Sequence, residues 1–175
     1  MSYAADKGRS SSETLREIVQ HNRDSRKGGI YSVCSAHPAV INAAVSQAIE
    51  DGSTLLVEST SSQVNQEGGY TGQAPQAFAD FIYSNAKKAG LETDKVVLGG
   101  DHLGPYPWRN QPASIAMEKA GKLVRACVLA RYQKIHLDAS MSCADDAQNP
   151  LDPRIIAQRA AVLAEAAEAA FAQLP

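Results

Sequence analysis

Asp101 and His102 stand side by side where an apolar run, Val96-Val97-Leu98, meets two glycines, in the stretch KVVLGGDHLGP at 95–105. An imidazole can ligate a divalent metal, and a carboxylate can carry a proton. Adjacent side chains at a strand end diverge, so the pair divides the labour: His102 as metal ligand, Asp101 as proton carrier. Gly99 and Gly100 would leave the approach open to a ligand. An isolated Asp-His pair is better explained by an Asp capping a turn beside a His filling a gap. Only its place at a strand end speaks for chemistry.

Other groups have the same placement. Glu58 ends an apolar run, and carboxylates are rarely buried there without a partner. It could be a base, a hydrogen-bond acceptor behind the site or a metal ligand. The loop NQEGGYTG, 65–72, carries the amides Asn65 and Gln66 and three glycines, among them Gly68 and Gly69. Glycines let backbone N–H groups turn toward an anion or a sugar hydroxyl; a solvated loop needing positive φ is the plainer account. His136 and Asp138 share strand parity, so both face one side of a sheet. A charged Asp138 belongs near a solvated mouth, which carries His136 inward below it. His136 reads better as a core histidine bonded to a neighbour than as a ligand. His37, before Pro38, either caps a helix or serves a site. His21 reads as solvated, and Cys34 as a small buried residue rather than a reactive thiol.

These groups need elements to position them, and the chain supplies four strand–helix units in a row. Residues 13–29 form a polar helix closed by Gly28-Gly29. Strand-like runs cover 30–35, 54–59, 95–101 and 133–140. Helical patterns cover 39–52 after Pro38, 75–90 from Pro to Gly, 114–131, and an Ala-rich stretch opened by Asp152-Pro153. Such alternation implies parallel strands joined by right-handed crossovers. An open doubly wound sheet and a β/α barrel compete. No GxGxxG follows the first strand. Polar groups follow the end of every strand, and parallel barrels collect active sites at that rim. The barrel is therefore preferred. Four units make only half of one, so the chain is expected to be the N-terminal half of a single (β/α)8 TIM barrel, with 1–28 a helical entry and 29–175 the four units. A small four-stranded α/β domain is the alternative.

The 175 residues carry a formal charge of −2, which gives no electrostatic footprint for nucleic acid or an anionic membrane. No apolar stretch is long enough to span a bilayer. The opening MSYAADKGRSSSE lacks the apolar core of a signal peptide. Three widely spaced cysteines without a CxxC argue against a disulfide framework or a zinc ribbon and suit a reducing, cytoplasmic setting.

Taken together, YSVCSAHP, VESTSSQVNQEGGYTG, LGGDHLGP and KIHLDASMSCA resemble the non-catalytic subunit family of D-tagatose-1,6-bisphosphate aldolase, whose members have also been labelled tagatose 6-phosphate kinases. The resemblance runs from about Gly29 to the last helix. Members are roughly twice this length and similar in fold to class II aldolases. By that likeness Asp101 moves the proton and His102 binds the metal, zinc first, with magnesium or manganese as alternatives. Asn65–Gly69 resembles a Ser-Asn-Gly-Gly turn near the substrate phosphate, which makes Asn65, Gln66, Gly68 and Gly69 substrate-binding. Leu137–Ser140 resembles an Asp-x-Ser strand end, which adds Asp138 and Ser140. Further histidine ligands would come from later strands, outside this chain. The implied partners are a phosphorylated ketose, a catalytic aldolase subunit and further copies in an oligomer. Two readings stay open: a metal-dependent enzyme that cleaves and rejoins, or epimerises, a ketose phosphate with Asp101 and Glu58 as catalytic carboxylates, and a subunit that stabilises a separate aldolase. A carbohydrate-binding barrel without turnover is a third. The kinase label finds no GxxxxGK[ST] to support it.

Overall fold

The computed structural model of the protein describes residues 11–147 and 150–175. The signal-peptide reading of residues 1–10, and the first part of the expected 1–28 helical entry, fall outside them. Helix α1 (Ser11–Ser25) precedes β1 (Ser32–Cys34), α2 (Pro38–Asp51), β2 (Leu55–Thr60), α3 (Pro75–Ala89), β3 (Val96–Leu103), α4 (Ala113–Leu129), β4 (Lys134–Leu137) and α5 (Pro153–Phe171). Every segment expected from the pattern is present. The helix punctuation works as its residue types require. Pro38, Pro75 and Pro153 open their helices, where a missing N–H costs nothing. Gly52 (φ 63°) and Gly90 (φ 89°) take the left-handed turn that closes α2 and α3. His37 resolves in favour of capping: its Nδ1 accepts the Ala39 N–H at 3.2 Å. Asp152 caps α5 by accepting the Arg154 N–H at 2.7 Å.

The strands are parallel, in the order β1-β2-β3-β4. A doubly wound sheet reverses its order at a switch point, where its ligands bind. These four strands show no reversal. Sequential parallel order is what an arc of a β/α barrel has.

Pairing of Cys34 with Glu58, Glu58 with Gly99 and Gly99 with Lys134 fixes which side chains share a face. One face presents Val33, Leu55, Val57, Val96, Leu98, Ile135 and Leu137 to the helices. There they meet Ile41, Val45, Phe78, Ile82, Leu123 and Cys127 in one apolar core. The opposite face carries Ser32, Cys34, Glu58, Thr60, Asp101, Lys134 and His136. Strict two-residue alternation thus separates packing from chemistry. On that second face Leu56 and Val97 are also buried, outside the main core, and α1 lies against β3. The β4–α5 loop is pinned to α5 by a two-pronged pair between Arg159 and Asp146, at 2.6 and 2.9 Å. No helix among the described residues is long and apolar enough to cross a membrane.

Candidate functional site

Asp101 and His102 do not diverge, and the reason is a local break in β3. The register between β3 and β4 slips between Gly100 and Leu103. His102 takes φ +50°, a left-handed backbone that residues other than glycine seldom adopt. A bulge of this kind re-aims a side chain that regular pleating would send to the other face. His102 Nδ1 therefore lies 3.0 Å from Asp101 Oδ2. The expectation that neighbours at the strand end must separate is overturned here by that bulge. Ser61 Oγ donates to the His102 carbonyl at 3.1 Å and ties the bulge to the next loop.

His136 completes the cluster. Its Nδ1 is 2.8 Å from Asp101 Oδ1, and its ring centre is 4.5 Å from that of His102, with the planes tilted by 54°. It is no core histidine: its side chain is 43% exposed, against 57% for His102 and 20% for Asp101. The parity with Asp138 is legible in the sequence; the core account fails because, among the described residues, solvent reaches the ring on this face, where Asp101 is its hydrogen-bond partner. One donor atom from each of Asp101, His102 and His136 can be chosen so that all lie within 4.8 Å of one another. Ring nitrogens with a carboxylate are the donor set that suits zinc and other first-row divalent ions, so these residues fit a metal.

Burial pushes the Asp101 carboxyl up, but hydrogen bonds from His136 and then His102 outweigh it and hold the group below the usual carboxylate range. Asp138 follows the same pattern: burial raises it, while Ser140, whose N–H donates to Oδ1 at 2.8 Å, and the nearby imidazoles bring it down. Cys34 Sγ sits 3.7 Å from Asp101 Oδ2. Burial, and then the Asp101 charge, push this thiol up to about 11, so it is a poor nucleophile. Its side chain is nonetheless exposed rather than buried.

Glu58 lies one step lower on the same face. It is buried and pairs with Lys134 and the Ser32 hydroxyl. Neither partner was singled out from the sequence, although Lys134 shares the parity of His136 and Asp138. The glycines before Asp101 serve side chains rather than a ligand's approach. A Cβ on Gly99 would come 3.0 Å from the Glu58 side chain and 3.3 Å from Lys134 Cβ; one on Gly100 would meet Leu103 Cδ1 at 2.4 Å.

The loop after β2 also departs from expectation. The Gly68 N–H donates to the Asn65 carbonyl at 2.8 Å, and the Gly69 N–H to Asn65 Oδ1 at 3.0 Å. Asn65 Nδ2 donates to Ser61 O, and Gln66 Nε2 to Lys119 O. A Cβ on Gly69 (φ 55°) would lie 2.4 Å from the Gln63 carbonyl. The amides turn inward because a tight loop with little other support must satisfy its own polar groups. They do not form an outward anion nest.

A family model, described as D-tagatose-1,6-bisphosphate aldolase subunit GatZ/KbaZ-like, matches residues 15–174. The D-tagatose-1,6-bisphosphate aldolase subunit GatZ of Salmonella agona is 53% identical over 154 residues, covering 88% of this chain and 36% of the relative. Its counterpart in Salmonella newport is 52% identical over the same share. A crystal structure from Sinorhizobium meliloti, described as a probable tagatose 6 phosphate kinase, superposes with a TM-score of 0.78 at 46% identity, over 81% of this chain and 36% of that one. The chain spans little more than a third of the length of these relatives. The chain belongs to the GatZ/KbaZ-like family of D-tagatose-1,6-bisphosphate aldolase subunits.

Proposed function

We propose that this chain supplies the first four βα units of a (β/α)8 barrel acting in cytoplasmic carbohydrate metabolism, and that the whole protein performs aldol-type or 4-epimerising chemistry on a phosphorylated ketose such as tagatose 6-phosphate. The observation that carries this is the bulge gathering Asp101, His102 and His136 at the carboxyl end of the sheet. Inert barrel rims have no need of a strained backbone that aims a metal-capable ring at a carboxylate. His102 would hold a divalent ion, which supplies Lewis-acid polarisation of a ketose carbonyl. Asp101, within reach of the same space, takes or returns a proton at the carbon next to that carbonyl. Asp138 and Ser140 border the site through the β4 end. Asn65, Gln66, Gly68 and Gly69 shape the neighbouring rim loop rather than donating directly. Glu58, neutralised by Lys134, holds the face beneath. Phosphoryl transfer, suggested by the kinase name of the structural relative, has no nucleotide loop to support it in this sequence.

A second reading rests on the relatives' names: as an aldolase subunit, the protein would bind and stabilise a separate catalytic subunit. Full-length protein incubated with tagatose 6-phosphate or fructose 6-phosphate, with and without Zn²⁺ or Mg²⁺, separates the two. Metal-dependent turnover that Asp101→Asn abolishes supports the first. Absence of turnover alone, with activation of an added catalytic aldolase subunit, supports the second and refutes the first.

A further inference from the structure

Asp101 has two carboxylate oxygens, and each faces a different imidazole. Oδ1 is 2.8 Å from His136 Nδ1 and Oδ2 is 3.0 Å from His102 Nδ1. An ionised carboxylate only accepts hydrogen bonds, so both facing nitrogens must carry the proton. The neutral rings are thereby fixed as Nδ1–H tautomers, and each Nε2 is left with a lone pair. A carboxylate behind a ligating histidine usually orients one ring and fixes its tautomer. Here one carboxylate does so for two rings whose centres are 4.5 Å apart and whose planes are tilted by 54°. Two nitrogens on one zinc stand about 3.3 Å apart in tetrahedral geometry, from Zn–N bonds of about 2.0 Å. Rings this close and this inclined can converge on such a spacing.

We infer that His102 and His136 form a two-histidine ligand pair acting through Nε2, with Asp101 as their shared orienting carboxylate rather than a third ligand. This rests on the proposed role of His102 toward a divalent ion, and it adds a ligand carried by β4. It also assigns Asp101 two successive tasks. With no substrate bound it positions both rings; to move a proton it must exchange one of these hydrogen bonds for one to the substrate. Both ligands lean on one group, so damage to Asp101 disturbs two metal bonds at once.

The test measures metal binding and ring tautomers, not turnover. Zn²⁺ affinity of the full-length protein is determined by competition with a chromophoric chelator, and long-range ¹⁵N–¹H correlation reads the histidine tautomers in the unsubstituted protein. Expected are Nδ1–H tautomers for His102 and His136, with the Nε2 resonances shifting on Zn²⁺ addition. His136→Ala should weaken Zn²⁺ at least about a hundredfold, and Asp101→Asn by about 10- to 100-fold, the usual effect of losing an orienting partner. If His102→Ala weakens Zn²⁺ but His136→Ala does not, or if either ring is the Nε2–H tautomer, the ligand pair is wrong while the proposed role of His102 stands. If the unsubstituted protein binds no Zn²⁺, Mn²⁺ or Co²⁺, or His102→Ala leaves binding unchanged, the metal reading of the site falls with it.

Discussion

Replacing Lys134 with Met tests whether the inner face is held by charge pairing. Glu58 is almost fully buried, with its side chain 6% exposed, whereas Lys134 is 31% exposed. Without Lys134, the Glu58 carboxylate keeps, among the described residues, the Ser32 hydroxyl as its side-chain partner. Removing one member of a buried pair costs about 3–5 kcal/mol, because the other charge is stranded. Solvent at Lys134 screens part of this and brings the cost below that range, to about 2–3 kcal/mol. At a urea m-value of about 2 kcal/mol/M, the unfolding midpoint should fall by about 1–1.5 M. The comparison that gives the number meaning is Glu58→Gln with Lys134→Met, which removes both charges. Replacing a buried pair with neutral groups of similar size is often close to neutral. The double variant should therefore recover most of the loss. The Glu58 side chain packs so close to Gly99 that a Cβ there would lie 3.0 Å from it, so an isosteric glutamine is the suitable replacement. A Lys134→Met midpoint within about 0.3 M of the parent, or a double variant as unstable as the sum of the singles, would refute the account of a stranded charge.

Three further outcomes follow from other contacts. A Cβ on Gly104 would lie 1.7 Å from the Asp138 carbonyl oxygen. Gly104→Ala must therefore push β3 from β4, and a loss above about 3 kcal/mol should lower the melting temperature by roughly 8 °C or more in thermal denaturation. Helix α4 has Pro112 at its cap position, and the acceptor comes instead from Asp145, which takes the Ala113 N–H at 2.7 Å. Asp145→Ala should cost about 1 kcal/mol, read as a melting shift of about 3 °C. The Arg159 guanidinium holds the Asp146 carboxyl below its ordinary range. A depressed folded-state value stabilises above the unfolded value, near pH 4, and the benefit is lost as pH falls through the folded one. Urea midpoints from pH 7 to 3 should show the parent's advantage over Asp146→Asn constant down to about pH 5 and shrinking below pH 4.

Much of the fold was legible because the signals were short-range and redundant. Proline at the start and glycine at the end bracket α3 without reference to any tertiary contact, and Leu55 to Val57 announce β2 by β-branched and apolar character alone. The ends of α1 and β4 were less sharp. The helix pattern reaches Gly29, yet α1 stops at Ser25, and Arg26 already takes φ 51°. There the Lys27 N–H donates to Ser25 Oγ at 3.2 Å and Asn22 Nδ2 donates to the Gly28 carbonyl at 2.6 Å, which turns the chain out of the helix. The strand pattern at 133–140 is trimmed to Lys134–Leu137: the Asp138 N–H still donates to the Leu103 carbonyl at 3.0 Å, but its carboxylate accepts the Ser140 N–H and turns the chain away there.

The site was legible in its residue types and not in its geometry. Parity placed His136 and Asp138 on one face, but it could not place Asp101 and His102 there together, since regular pleating forbids that for neighbours. What permits it is one residue in a left-handed conformation, and no residue type marks that position: glycine, the usual signal, is absent at 102. Strain of this kind costs of order 1–3 kcal/mol and persists only where surrounding contacts over-determine it. Three contacts do so: Ser61 grips the His102 carbonyl, Asp101 grips the ring, and the Gly104 backbone runs close against the Asp138 carbonyl. Each lies at the carboxyl end of a different strand or its loop. The bulge is thus a property of three strand ends held in register, and the cluster it creates exists only when those strands are assembled. A histidine chosen for packing alone would not need that scaffold, which is why its backbone, more than its identity, marks this rim as a working surface.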